Sequence, residues 1–309
     1  MKSFTYYYNK IIFFFDKRKI YRILKRGIRT TRSSKIMLID KGQTIYPYFS
    51  ALFAQNMLSS SLWCLAHGYL PYINLKQRDK RYANFDSYFE QPFVKENTEL
   101  KITKRCPLSR IYVSYNFEVA YNLEKLKLWS KAVSDFFILN EKTKNYIDDE
   151  YNTLFPKGHK ILGVLMRGTD YVKLKPKKHF VQPTIEQVIE EIQNAQKKFA
   201  YEYIYVATEE EGYVSRLKEC FGEDKILVNK RKYYGDLYRE KDATWIMEVA
   251  YDERENDIYL KGLEYLSSLY LLSRCDSLIA GNCGGSLFAL LLNNLKYKYV
   301  KMFNLGYYE

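Results

Sequence analysis

Five apolar residues in a row, Ile161 to Leu165, stand between the polar stretches Lys157-Gly-His-Lys160 and Arg167-Gly-Thr-Asp170. This run limits the fold more than any other stretch. It is the pattern of a strand buried on both faces, as in parallel sheets covered by helices, and it ends abruptly in a polar loop. Arg167 and Asp170 therefore arrive at one edge of a sheet. In an open α/β sheet, ligands bind beyond the carboxyl ends of the strands, and an arginine there can fork onto a phosphate through two parallel hydrogen bonds. The same two residues could instead pair with each other across a turn. Local pattern leaves both readings open.

The rest of the second half repeats the alternation. The loop from Tyr171 to Pro183 carries Lys173, Lys175, Lys177, Lys178 and His179, and Thr184 caps a helix to about Phe199 with Ile185, Val188, Ile189 and Ile192 inward. Tyr201 to Ala207 alternates as a strand and ends in Thr208-Glu209; a helix from about Gly212 to Phe221 and a strand from Lys225 to Val228 follow. Asn229 to Asp257 is charged and aperiodic, and a loop of that length is usually functional or mobile. Gly262 to Ser273 reads as a helix, Asp276 to Ala280 as a strand, and Gly281-Asn-Cys-Gly-Gly-Ser286 as a turn opening a last helix, Leu287 to Asn293. This order predicts a doubly wound sheet of the nucleotide-binding type. A glycine turn at a helix N-terminus offers free N–H groups and the positive end of a dipole to a phosphate, although no Walker A or complete GxGxxG motif is present.

In the first half, Lys35 to Asp40 and Leu70 to Leu75 read as strands around a helix from Tyr48 to Gly68, closed by Gly68 as a C-terminal cap. That is a βαβ unit, so this half forms a parallel layer of its own. Gln77 to Arg110 has no clean period. Within it Asn84 to Pro92 mixes polar and aromatic residues, either as an ordered surface loop or as a cleft lining whose rings stack on sugars. Leu123 to Phe155 is a helical connection between the halves.

A chain of 309 residues, 47% hydrophobic and 28% charged, is globular and long enough for two cores. Five cysteines without CxxC spacing suggest a reducing compartment, and three histidines without HExxH or DxD spacing offer no metal cage. The net charge of +13 is concentrated: residues 1 to 35 hold eleven Lys and Arg against Asp16, an excess of +10 that leaves +3 for the rest. The apolar core of this segment, Ile11 to Phe15, is too short to span a membrane or act as a signal peptide. Ile20, Ile23, Leu24 and Ile28 share a helical face among cations, with aromatic anchors at Tyr6 to Tyr8 and Phe13 to Phe15, which suits an interfacial helix on anionic lipid. The alternative is a basic extension packed on its own domain or a partner. Nucleic acid is disfavoured, because no zinc-finger, RNP-type or helix-turn-helix pattern accompanies the charge.

Over residues 35 to 309 these motifs together resemble the GT-B glycosyltransferases of the fucosyltransferase type, which include the α-1,6-, nodulation and protein O-fucosyltransferases. The sequence looks most like bacterial members associated with surface-polysaccharide synthesis. Leu165-Met-Arg167-Gly-Thr-Asp170 fills the place of the family's HxRRxD strand end, with Leu165 for the histidine and Gly168 for the second arginine. His179 to Pro183 matches the family's His-Pro segment and Ala207-Thr208-Glu209 its ATD strand end. Leu272 to Asp276 and Cys283 to Ser286 match the last strand and serine-rich turn. Ser268 stands where the family has an aspartate on its nucleoside-binding helix.

The resemblance implies an α/β, GT-B-like architecture of two Rossmann-like domains facing a cleft. A basic amphipathic segment, 1–34, would precede an acceptor-side α/β domain with connecting helices, 35–157, and a nucleotide-sugar-binding domain, 158–309. It assigns Arg167 and Asp170 to catalysis. Donor binding would involve Arg167, His179, Thr208, Glu209 and Asp276, with Asn282, Gly284, Gly285 and Ser286 in the glycine turn. The sequence does not identify the base that would activate the acceptor; Asp40, Asp86 and Glu90 on the acceptor side, and Asp170 in the second half, are the candidates. The implied reaction is inverting transfer of a sugar, with GDP-fucose the favoured donor, to a glycan or lipid-linked glycan. It would need no metal or cofactor, because a fixed arginine and helix-terminal amides stabilise the charge growing on the leaving diphosphate. The expected place is the cytoplasm, at the inner face of the membrane. A competing reading is a non-catalytic nucleotide- or sugar-binding module, which Leu165 and Gly168 permit.

Overall fold

The computed structural model describes residues 4–40, 48–75, 84–94, 101–108 and 111–309. The chain forms two compact units, Met1–Asn140 and Glu141–Glu309.

The first unit opens with helix α1, Phe4–Arg26, then strand β1, Ile36–Ile39, helix α2, Ala51–Ala66, and strand β2, Leu70–Ile73. Ser50 starts α2 by accepting a hydrogen bond from Phe53 N at 3.1 Å, and Gly68 at φ 78° ends the turn behind it, a backbone region where a Cβ is costly. Strand β3, Ile102–Arg105, lies in the stretch read as a loop. Its sequence, Ile-Thr-Lys-Arg, is too short and polar to give a strand signal, and its four residues are exposed. The three strands are parallel in the order β2-β1-β3, so strand order reverses beside β1. Helices α3, Glu118–Tyr121, and α4, Leu123–Phe136, complete the unit.

Two sequence readings change here. Helix α1 packs against α2 and α4, and Ile20, Ile23, Leu24 and Ile28 are buried. The apolar face expected to lie on lipid thus belongs to the unit's own core. The side chains of Tyr6 to Tyr8 lie outside the described residues, as do Lys41 to Pro47. Phe85, Tyr88 and Phe89, considered as sugar-stacking rings, are buried against Phe49, Phe136 and Phe137, where they supply apolar burial and edge-to-face contact.

The second unit begins with helix α5, Glu141–Leu154. The helical stretch read from Leu123 to Phe155 is therefore two helices, separated where Leu139 bridges Phe89 and Asn140 N donates to Tyr88 O at 3.1 Å. Then come strand β4, Ile161–Leu165, helices α6, Thr169–Leu174, and α7, Ile185–Phe199, and strand β5, Tyr203–Ala207. Helix α8, Glu211–Phe221, strand β6, Ile226–Leu227, and helices α9, Gly235–Glu240, and α10, Asp257–Ser273, follow. Strand β7, Ser277–Gly281, helix α11, Gly284–Asn293, and strand β8, Tyr299–Phe303, close the chain.

The five strands are parallel in the order β6-β5-β4-β7-β8. Counted within the unit this is 3-2-1-4-5, the doubly wound order, and the switch point falls between β4 and β7. Thr184 and Gln187 form a capping box on α7, and all five residues of β4 are buried. The stretch from Asn229 to Asp257 is built rather than open. Tyr234, Tyr238, Ile246 and Val249 make a small core, and Asp257 accepts from the Tyr234 hydroxyl at 2.6 Å and from Tyr251 N at 2.9 Å.

Candidate functional site

Beyond β4 the chain stays in register for one more residue, Met166 N donating to Ala207 O at 3.1 Å. Arg167 then turns its guanidinium toward two carboxylates, with Nη2 2.9 Å from Asp170 Oδ1 and Nη1 2.9 Å from Glu209 Oε1. Its side chain is 21% exposed, and the guanidinium lies 4.9 Å from the Tyr171 ring centroid. Burial, the largest influence, works to lower its pKa, but Glu209 and Asp170 outweigh it and hold the group well above its ordinary value. The pairing across a turn is thus present, with Glu209 as a second partner. One positive charge faces two negative ones, and these two contacts engage Nη1 and Nη2 only.

The loop between Arg167 and Asp170 is held from behind by Glu210, a residue that sequence reading passed over although it follows Thr208-Glu209 directly. Thr169 adopts φ 42°, a left-handed conformation rare for a β-branched residue. Glu210 Oε1 accepts from its N at 2.8 Å, and its hydroxyl donates to Glu209 Oε1 at 3.2 Å. Gly168 makes room for this clasp: a Cβ there would lie 2.4 Å from Glu210 Cγ. Asp170 Oδ1 accepts from Arg167 and from Tyr171 N at 2.9 Å, and lies 3.3 Å from the Thr169 hydroxyl oxygen. Thr208 is buried, and its Oγ1 accepts from Glu210 N at 3.2 Å.

Across the switch point, β7 runs into Asn282 and Cys283, and α11 starts at Gly284. Ser286 is committed to the turn: its Oγ accepts from Cys283 N at 3.0 Å and lies 2.7 Å from Gly281 O. Gln182 closes the turn from the other side by donating to Asn282 O at 3.0 Å. Gly285 is required by Tyr265, whose hydroxyl would lie 2.5 Å from a Cβ at that position. The side chain of Asn282 differs from all of these. The residue is 1% exposed, and neither Nδ2 nor Oδ1 has a hydrogen-bond partner among the described residues. A buried amide left in that state is costly, and a ligand's polar atoms would relieve it.

His179 joins the group through Tyr171, with Nδ1 3.1 Å from the hydroxyl and the rings edge to face at 5.3 Å. Burial pushes the Tyr171 hydroxyl up to about 12, against the pull of Arg167. Asp276 is not part of the group. Its Oδ2 accepts from Ile161 N at 2.9 Å and its Oδ1 lies 2.8 Å from Lys298 Nζ, at the amino-terminal edge of the sheet, where it ties strand starts together. In the first unit Asp40 follows β1, buried, with Oδ2 bonded to Arg105 and Oδ1 unpaired among the described residues. Asp86 and Glu90 are exposed on the loop after β2. Among the described residues no group of three or more His, Cys, Asp or Glu is placed to hold a metal ion, and no helix is long and apolar enough to cross a membrane.

No protein-family model matches the chain, and no curated protein matches it. Among solved structures it is similar to NodZ α-1,6-fucosyltransferase soaked with GDP-fucose, at 14% identity and TM-score 0.47, covering 84% of this chain and 93% of that one. It is also similar to the fucosyltransferase NodZ from Bradyrhizobium, at 14% identity and TM-score 0.45, over 84% and 94% of the two chains. POFUT1 in complex with GDP is similar at 10% identity and TM-score 0.49, over 88% and 99%. At these identities and scores the similarity carries neither activity nor substrate over to this chain.

Proposed function

We propose that the chain is an inverting, metal-independent glycosyltransferase that moves a sugar from a nucleotide diphosphate onto a glycan. The favoured donor is GDP-fucose, by the resemblance of the motifs. The acceptor is a glycan or lipid-linked glycan of surface-polysaccharide synthesis, reached by peripheral attachment to the inner face of the cytoplasmic membrane. The observation that carries the reading is the switch point of the second sheet. Arg167 follows one of its strands, and the other leads into a glycine turn whose buried Asn282 amide is unpaired among the described residues. Ligands of doubly wound sheets bind at such points. A diphosphate leaving group gains charge as the sugar departs, and a guanidinium beside helix-terminal amides stabilises that charge most in the transition state.

The nucleotide-sugar role extends to Thr208, Glu209 and His179 by their places around Arg167. Ser286 and Gly285 serve by shaping the turn, Gly284 by opening α11. Of the acceptor-side carboxylates, Asp40 is the favoured candidate base by its place at the carboxyl end of β1, where Oδ1 is unpaired among the described residues while Oδ2 pairs with Arg105. The double pairing of Arg167 favours a second reading, a nucleotide- or sugar-binding module without turnover. Donor hydrolysis and thermal stabilisation by a panel of nucleotide sugars separate the two. Saturation to ~100 times the dissociation constant adds ~2.7 kcal/mol of stability. Stabilisation with release of GDP supports the enzyme, stabilisation without release supports the module, and no response from any nucleotide contradicts both.

A further inference from the structure

The two sides of α1 meet different surroundings. Ile20, Ile23 and Leu24 on one side are buried. Asp16, the lone acid of residues 1 to 35, is on that side as well and is 3% exposed. Its carboxylate accepts from the Tyr112 hydroxyl at 3.2 Å and lies 3.4 Å from His67 Nε2. The opposite side presents Arg18, Lys19, Arg22, Lys25 and Arg26, all exposed, at the three- and four-residue spacing of one helical face. At its N-terminal end stand Phe14 and Phe15, each 55% exposed, beside Phe13. The Phe14 and Phe15 rings meet edge to face at 6.0 Å, and the Arg18 guanidinium lies 5.2 Å from the Phe14 ring centroid.

We infer that this cationic side with its phenylalanine end is a docking surface for an anionic lipid bilayer, replacing the apolar face that the sequence alone suggests. The cations match a negatively charged headgroup layer with no acid among them, and neighbouring phenylalanines can enter the headgroup boundary together. A single-stranded nucleic acid would match the charge, but base stacking uses aromatic rings distributed along the track of the strand. Among the described side chains of α1, the exposed phenylalanines are the three consecutive residues Phe13 to Phe15. The inference deepens the membrane attachment proposed above and is separable from the transferase reading, since vesicle binding requires no turnover.

Because Ile20, Ile23 and Leu24 are core residues, deleting the segment would damage the first unit and decide nothing. Surface substitutions in the full chain avoid this. Sedimentation with phosphatidylcholine vesicles containing phosphatidylglycerol should capture the protein, with affinity falling steeply as salt rises; pure phosphatidylcholine vesicles should capture little. Arg18→Glu, Arg22→Glu, Lys25→Glu and Arg26→Glu together should lower partitioning by on the order of 100-fold or more at an unchanged melting temperature. Phe14→Ser with Phe15→Ser should lower it by on the order of 10-fold. Equal capture by both vesicle types, undiminished capture of the charge-reversed chain, or tighter binding to single-stranded DNA than to the anionic vesicles would overturn the inference.

Discussion

Both sheets reverse strand order beside their first strand, and both carry an arginine–aspartate contact at that carboxyl edge, yet the two edges are built differently. In the first unit Arg105 ends β3 and reaches Asp40 after β1, a single contact on an exposed strand. In the second unit Arg167 is shared between Asp170 and Glu209, the loop behind it is strained at Thr169 and clasped by Glu210, and the Asn282 amide before α11 is unpaired among the described residues. Parallel topology alone brings charge to an edge. What distinguishes the second edge is a strained, over-determined loop, the kind of feature that persists where function requires it.

Removing the central cation should break the second edge most severely. Arg167→Ala is expected to lower single-turnover rate by on the order of 100-fold or more, with donor affinity falling less. It should also lower the melting temperature, since two carboxylates are left facing each other without their cation. Arg167→Lys should recover little of the rate, because an ammonium lacks the fork. A folded, fully active Arg167→Ala would remove the distinction between the edges. Asp40→Asn tests the first edge: turnover should fall by roughly 100-fold at unchanged donor affinity, whereas Asp86→Asn and Glu90→Gln should each cost less than about 3-fold.

The clasp predicts a coupling. Gly168→Ala forces a Cβ into Glu210 and should cost roughly 1–3 kcal/mol of stability in urea unfolding. Combined with Glu210→Ala it should cost distinctly less than the sum of the two single changes. Strict additivity would mean that Glu210 does not shape the loop.

A pH-dependent effect comes from Lys261, buried in α10, which donates to Ile246 O and Val249 O at 2.7 Å each. Burial pushes its pKa down to about 7, with Asp257 working against the shift. The unfolded chain then holds this proton up to about pH 10.4 while the native chain releases it near 7. Stability should therefore rise with pH across that window, by at most ~1.4 kcal/mol per unit, and this contribution should be flat below about 7. Lys261→Met should remove the rise. An unchanged slope in the variant would assign it to other groups.

How much of this is legible in the sequence follows from what carries each feature. Strand β4 can be read because burial on both faces makes five consecutive apolar residues. Strand β3 cannot, because an exposed edge strand needs no apolar pattern. The glycine turn is visible as glycines, and the structure supplies their reasons, Gln182 against Gly281 and Tyr265 against Gly285. Glu210 and Glu209 are adjacent acids with different partners, one clasping Thr169 and the other pairing with Arg167, and only the folded loop separates them. Asp276 matches a motif by its position along the chain, whereas its place before β7 puts it at the amino-terminal edge of the sheet, away from Arg167. Helix α1 has a recognisable amphipathic pattern, but periodicity does not say whether protein or lipid covers its apolar face.

The proposed transferase requires that the carboxyl edge at β4 and β7 receive a nucleotide diphosphate. Asn282→Ala tests it most directly, because the side chain has no hydrogen-bond partner among the described residues to lose in the free protein. Calorimetric titration of the native chain and the variant with GDP and GDP-fucose should show affinity falling by on the order of 10-fold. The ligand-free melting temperature should be no lower than that of the native chain, since the variant removes an unsatisfied buried amide. Equal affinity of both chains, or no binding of either nucleotide by the native chain, would contradict the account.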